Sequence, residues 1–215
     1  MTVLLAEQFV LLALDADGTV ARGTTNQPNA ALGVTGALIA ELARDGHVDL
    51  ADGRIRLTGT IPTDPLLAQT LENLRPHEGK KLKSRLTAIK HSGWSEVVDA
   101  MIVADVLGRE KEPLHPTRHP VTDPVAHAAL LAEVRAAATA DGPLRERDAV
   151  LLALAGPCQM LEVVAPDRAD RKQAKRRIAH ASELVEATEA VKQAIDVVAT
   201  AATAAVATNT AVYVG

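Results

Sequence analysis

Two aspartates close to the N-terminus have the spacing of a phosphatase nucleophile loop. Asp15 and Asp17 stand in the segment Asp-Ala-Asp-Gly-Thr, directly after the apolar run from Phe9 to Leu14. In phosphatases with an aspartate nucleophile, the first carboxylate attacks phosphorus and the second carries the leaving-group proton. That chemistry also needs a lysine and a later acidic pair for Mg²⁺. The later candidates, Asp99 and Asp105, lie in a helical pattern, so the sequence favours a turn and keeps a metal-dependent phosphohydrolase as an alternative.

Basic side chains are the second group of candidates, because they can hold the phosphate of an anionic ligand. One cluster contains no acidic residue and consists of Lys80, Lys81, Lys83, Arg85 and Lys90. Such a cluster can attract an anionic membrane surface at about 1 kcal/mol per basic group, although a solvated helix face is the simpler interpretation. A second basic run, from Arg168 to Arg177, is interleaved with acidic residues at spacings that favour pairs within one helix.

The histidines and the single cysteine give weaker signals. His115 and His119 have a spacing that could grip a metal ion, but no third ligand is evident, so turn chemistry is the preferred interpretation. Cys158 is the only cysteine, which excludes an internal disulfide, and we expect it to be a small buried residue. The sequence predicts no cofactor and no bound metal.

Composition restricts the class of protein that these residues belong to. The chain has 215 residues, 47% of them hydrophobic, and a net charge of −4. The segment from Ala30 to Arg44 and the hairpin after it could form a DNA-binding helix and wing, but few of its side chains could read bases. Aromatic residues make up 1% of the chain, so platforms for stacking nucleic-acid bases are lacking and no nucleic-acid partner is expected. Without a signal peptide or a membrane-spanning run, we expect a cytoplasmic protein.

The periodicity predicts a mainly α protein: a single domain over residues 1–215, with a helical bundle-like core and short β-hairpins. Leu4 to Leu14 is a helix or a buried strand, since a short apolar run fits both. The later elements have clearer boundaries. Asn29 is expected to cap the start of one helix and Gly46 its end, and Asp52-Gly53 is expected to form a hairpin turn. Further helices are expected to start at Asp64-Pro65 and at Thr122-Asp123-Pro124. Between them, two helices are expected at Lys80–His91 and Trp94–Leu107, around a break at Ser92-Gly93, followed by a connector or hairpin over Gly108–Pro120.

Five separated blocks of the sequence occur in the order found in one known family. They are LLAEQFVLLALDADG, GVTGALIAELARDGHVDL, IVADVLGRE, TRHPVTDP and LLAL. Over about Leu4 to Val185 the chain resembles the Golgi phosphoprotein 3 family, its bacterial and actinobacterial members most closely. The resemblance implies an all-helical core with small hairpins and a non-catalytic, peripheral membrane or adaptor role. The implied ligand is an anionic phospholipid headgroup of the phosphatidylinositol 4-phosphate type.

The same resemblance places a headgroup pocket on this chain. The family's pocket tryptophan falls near Asn26, its first arginine position is Thr35, and its later basic pair falls near His91 and Trp94. The predicted headgroup contacts are Thr35, Lys83, Arg85, Lys90, His91 and Trp94. The expected partners are an anionic phospholipid headgroup or membrane surface, together with a protein partner or a second copy of the chain. A protein-interaction scaffold without lipid binding is the remaining alternative.

Overall fold

The computed structural model describes residues 3–21, 27–111, 113, 117–185 and 193–201. These residues are mainly helical, as predicted. The elements in chain order are α1 (Leu5–Ala13), α2 (Gln27–Arg44), β1 (Val48–Asp49), β2 (Arg56–Leu57), α3 (Pro65–Leu74), α4 (Leu86–Val103), α5 (Pro124–Thr139), α6 (Glu146–Ala155), α7 (Leu161–Val164) and α8 (Arg171–Val185). Residues 193–201 are also helical, and β1 and β2 pair antiparallel with Val48 opposite Leu57.

Helix α2 is the centre of the molecule. Every residue from Asn29 to Ala43 is buried, and α1, α3, α4 and α6 all pack against it. A helix that is apolar around its whole circumference belongs in a core rather than at a surface. The sequence of α2, rich in alanine, leucine and glycine, therefore fixes where the other helices dock.

Glycines allow the helices to approach α2 closely. A Cβ on Gly33 would overlap the ring of Phe9 from α1 and would lie 2.9 Å from Cys158 Sγ. On α4, a Cβ at Gly93 would lie 2.6 Å from Thr35 Oγ1. Real Cβ atoms do not approach other atoms so closely. Helices α1 and α4 can therefore cross α2 at these points only because Gly33 and Gly93 have no side chain.

Helix α4 corrects the prediction of two helices. The structure has one continuous helix from Leu86 to Val103, while Leu82–Ser84 form a separate 3₁₀ turn. Gly93, which was expected to break the helix, lies inside it. Its lack of a side chain makes room for Thr35 on α2. The prediction of Asn29 as an N-cap is also wrong: α2 already includes Gln27, and Asn29 is buried in it.

The other helix boundaries confirm the sequence signals. Asp64 Oδ1 accepts hydrogen bonds from Leu66 N and Leu67 N at 2.9 and 3.1 Å, and Asp123 caps α5 in the same way. Gly46 has φ 75° after α2, and its N–H donates to Ala43 O at 3.1 Å. A left-handed glycine is the usual end of a helix because it satisfies the last carbonyls without a steric cost.

One carboxyl group is buried in this apolar core. Glu41 on α2 is 1% exposed, and its Oε1 accepts a hydrogen bond from Leu5 N at the start of α1, at 3.0 Å. Oε2 is buried and has no hydrogen-bond partner among the described residues. Burial raises the pKa of Glu41 from 4.5 to about 7, against the opposing effects of that hydrogen bond and of Arg44.

This raised pKa predicts that the chain loses stability as the pH increases. A carboxyl whose pKa is higher in the folded than in the unfolded chain favours folding below pH 4.5, and this contribution disappears between about pH 4.5 and 7. Glu41→Gln keeps the acceptor for Leu5 N but buries an amide N–H₂, which costs about 1 kcal/mol. We therefore expect the variant to be about 1–2 kcal/mol more stable than the parent at pH 8, and about 1 kcal/mol less stable at pH 4.5, where only the cost of the buried amide remains.

Urea unfolding at both pH values measures this difference. If the free energies of unfolding of the parent and of Glu41→Gln change by the same amount between pH 4.5 and pH 8, Glu41 is ionised in the folded chain without cost. That result would contradict the prediction.

Candidate anion-binding site

The aspartate-rich turn forms several hydrogen bonds within the chain. Asp17 Oδ1 accepts hydrogen bonds from Thr19 Oγ1 at 2.7 Å and Thr19 N at 3.0 Å, and the hydroxyl bond is the main reason that the pKa of Asp17 is lowered. Asp15 is exposed, like Asp17. Gly18 O accepts from His119 N at 3.3 Å, and Ala16 O accepts from Val121 N at 3.2 Å. The turn therefore anchors the segment that leads into α5.

The phosphohydrolase alternative finds no support in the fold or in the side chains. The described residues contain a two-stranded antiparallel sheet and no parallel sheet, and no group of three or more His, Cys, Asp or Glu side chains in them could hold a metal ion. Cys158 is fully buried, as expected, and burial raises the pKa of its thiol to about 12. A thiol in this state is not a nucleophile at neutral pH. His115, of the suggested metal pair, lies outside the described residues.

The segment between α4 and α5 is a short antiparallel hairpin, one of the two predicted forms. Glu110 and Arg118 exchange both backbone hydrogen bonds at 2.9 Å, and Leu107 pairs with Val121 in the same register. This register places Arg109 opposite His119 and Lys111 opposite Thr117. Because side chains alternate along a strand, these last four share one face. We call residues 107–121 the connector hairpin; residues 112 and 114–116 of it lie outside the described residues.

That face of the connector hairpin closes a cleft over α4. The cleft has a volume of about 390 Å³, within the range of small-ligand sites. We call it the Trp94 cleft, since Trp94, which is 8% exposed, contributes to its wall. Its lining residues are Trp94, Ser95, Val98, Asp99, Arg109, Lys111, Thr117 and His119.

The charges in the Trp94 cleft favour an anion. Arg109 is hydrogen-bonded to Asp99, so this pair is close to neutral. Lys111 is exposed and adds a positive charge. His119 Nδ1 lies 3.3 Å from Gly108 O, and since a carbonyl only accepts, Nδ1 donates there. Two cationic groups, one carboxylate and the hydroxyls of Ser95 and Thr117 suit a phosphate better than a cation or an apolar group.

Of the predicted contacts, Trp94 lies in this cleft and Thr35 does not. Thr35 is 2% exposed, and its Oγ1 donates to Ala31 O at 2.9 Å, where Gly93 covers it. It takes part in helix packing and not in an open pocket. Lys90 and His91 are residues of α4, but their side chains lie outside the described residues, as does all of Asn26.

Lys83 and Arg85 belong to a separate basic surface. The backbones of Arg54 and Lys81 form an antiparallel β-bridge. The pKa of His77 is lowered first by burial and then by the charges of Lys80 and Arg85. From Arg85 to Trp94 the helix rises by about 13 Å, so this surface lies well away from the Trp94 cleft along α4. We call it the hairpin-base cluster, made up of Arg54, His77, Lys80, Lys81, Lys83 and Arg85.

The sequence contained a signal for the cleft that the composition-based reasoning missed. Arg109 and Lys111, like Thr117 and His119, are two residues apart on either side of a turn. Alternate spacing on two facing strands brings such pairs together, whereas a search for basic runs selects only consecutive residues.

Comparison with known protein families gives a match over most of the chain. The family model described as Golgi phosphoprotein 3 (GPP34) matches residues 5–198, which is nearly the whole chain. No curated protein matches the chain. In the described part of the chain, no helix is long and apolar enough to cross a bilayer.

Proposed function

Because the chain belongs to the Golgi phosphoprotein 3 (GPP34) family, we propose that it is a non-catalytic adaptor that binds membranes peripherally, with the Trp94 cleft holding the phosphate of an anionic phospholipid headgroup. The observation that carries the proposal is the cationic face of the connector hairpin. Arg109 and Lys111 reach the same cleft as Trp94, the position to which the family resemblance assigns a headgroup contact. The proposed site therefore shares Trp94 with the predicted headgroup contacts, while its cations belong to the connector hairpin.

The electrostatics of the cleft support recognition of a phosphate at a surface. The whole chain has a net charge of −4, so it has no general attraction for an anionic bilayer. A local cationic group near an anionic surface contributes about 1 kcal/mol, which is lost as salt screens it. Lys111, with Arg109 beside Asp99, would supply the part of this attraction that depends on the headgroup, and the hydroxyls of Ser95 and Thr117 would accept from or donate to phosphate oxygens. The hairpin-base cluster would add attraction that does not depend on headgroup type.

The double variant Arg109→Ala/Lys111→Ala tests the site. We expect it to bind anionic vesicles at least about tenfold more weakly than the parent, because two favourable charges are lost and Asp99 becomes unpaired. The matched control is Lys81→Ala/Lys83→Ala, which removes the same charge from the hairpin-base cluster. It should weaken binding clearly less than the cleft variant does, because the hairpin-base cluster lies away from the Trp94 cleft and would hold no headgroup phosphate.

Vesicle flotation with phosphatidylinositol 4-phosphate, phosphatidylglycerol and neutral lipids measures both variants. A larger loss for the Lys81/Lys83 control than for the cleft variant would move the binding site to the hairpin-base cluster and contradict this assignment.

A further inference from the structure

A second cleft lies between α1, α5 and the end of the connector hairpin, and the proposed function does not use it. It has a volume of about 330 Å³, at the small end of the range for small-molecule sites. We call it the α1–α5 cleft. Its walls are mostly apolar, and Val3, which is 47% exposed, extends the apolar surface beyond its rim. The apolar lining residues are Val3, Leu11, Val106, Val121, Ala126 and Leu130.

A buried histidine is one of the polar residues that line this cleft. His127 on α5 is 4% exposed, and its Nε2 lies 2.9 Å from Leu11 O. A carbonyl oxygen only accepts hydrogen bonds, so Nε2 must carry the proton. In the neutral ring Nδ1 then has a free lone pair, and His127 is one of the residues that line the cleft.

Two carboxylates add further acceptors at the rim. Asp123 Oδ1 accepts from Val125 N and Ala126 N, both at 3.0 Å, which leaves its other oxygen for a ligand. Asp105 is exposed and lines the cleft. Arg147, the neighbouring cation, donates to Gln8 Oε1 at 2.7 Å and to Val3 O, both in residues that line the cleft, so the two rim carboxylates outnumber this one cation.

From these groups we propose that the α1–α5 cleft binds the apolar chain of a small amphiphile that carries an ammonium group. The apolar walls receive the chain, and Asp105 and Asp123 compensate the positive charge while His127 Nδ1 accepts a hydrogen bond from the head. A fatty carboxylate of the same length is disfavoured, because its charge would face two carboxylates. The Trp94 cleft has the opposite preference, so the two sites select ligands of opposite charge.

Three eight-carbon probes test the charge preference on the whole chain: octylammonium, octanoate and 1-octanol. Chemical shifts of the backbone amides around Leu11 and His127, followed by two-dimensional NMR, report binding. We expect saturable shifts with octylammonium, with octanoate at least about tenfold weaker and octanol in between. Equal or tighter binding of octanoate, or no saturable shift with any probe, would overturn the proposal.

Matched variants locate the site. Ala126→Leu places a larger side chain in the cleft, while Ala129→Leu adds the same group to an exposed position of α5 that does not line it. Only Ala126→Leu should lose octylammonium binding. Asp105→Asn/Asp123→Asn should weaken octylammonium about fivefold and leave octanol unchanged; asparagine at position 123 keeps the helix cap. Equal effects of the two leucine variants would place binding elsewhere.

Two further measurements distinguish this proposal from the alternatives. Anionic-vesicle binding by Ala126→Leu should equal that of the parent, so a failure of one site leaves the other testable. If the cleft instead packs against a second copy of the chain, sedimentation of the parent will show a concentration-dependent dimer that Ala126→Leu abolishes. That result would overturn the assignment of a small amphiphile.

Discussion

Replacing Gly33 with alanine is expected to lower the free energy of unfolding by about 3 kcal/mol. The new Cβ would lie less than 3.0 Å from two ring atoms of Phe9 and from Cys158 Sγ. Phe9 is 0% exposed and Cys158 is 0% exposed, so neither can move into solvent. Helix propensity acts in the opposite direction and would make alanine about 1 kcal/mol more stable than glycine. The sign of the change therefore shows which effect dominates.

The control for this prediction shortens the Phe9 side chain that the new Cβ would meet. Phe9→Leu leaves a smaller side chain opposite Gly33, so the double variant Phe9→Leu/Gly33→Ala should lose clearly less than the sum of the two single variants. Urea unfolding of all four proteins gives the coupling energy. A neutral or stabilising Gly33→Ala would contradict the close crossing of α1 and α2.

Gly18→Ala is expected to cost a similar amount, about 3 kcal/mol, and to weaken anion binding as well. Gly18 has φ 77°, and a Cβ there would lie less than 3.0 Å from backbone atoms of His119 and Pro120. Backbone atoms cannot rotate away as a flexible side chain can. Because this contact positions His119 at the Trp94 cleft, relief of the clash must shift the connector hairpin.

Gly46→Ala separates the two causes of the Gly18 effect. Gly46 has φ 75°, close to that of Gly18, but nothing lies within 4 Å of its would-be Cβ. It should lose only about 1 kcal/mol and bind anionic vesicles like the parent. If Gly18→Ala is no more destabilising than Gly46→Ala, the turn is not packed against the connector hairpin.

Local chemistry made several elements predictable from the sequence. Asp64 and Asp123 precede prolines at helix starts, and Asp52-Gly53 joins two short alternating strands, so their interactions lie within a few residues. Gly93 was misinterpreted for the opposite reason. Its role depends on Thr35, a residue on another helix, and a glycine that permits close packing has the same sequence signature as one that ends a helix.

Of the residues that line the candidate site, the sequence-based prediction of headgroup contacts contained only Trp94. The family resemblance identified Trp94, which does line the cleft. Burial of Thr35 follows from the crossing of α2 and α4, which no local pattern reveals. Arg109 and Lys111 could have been found from their alternation in the connector hairpin. Their approach to α4 is a tertiary contact that the sequence alone does not specify.

Co-sedimentation with vesicles tests the central claim most directly. The parent protein is mixed with neutral vesicles and with vesicles containing phosphatidylglycerol, cardiolipin, phosphatidylinositol or phosphatidylinositol 4-phosphate, at low and at moderate salt. We expect it to pellet with at least one phosphate-rich anionic lipid, to remain in solution with neutral vesicles, and to be released by salt because the attraction is electrostatic. Failure to pellet with any anionic vesicle at low salt would contradict the lipid-binding function proposed for the Trp94 cleft.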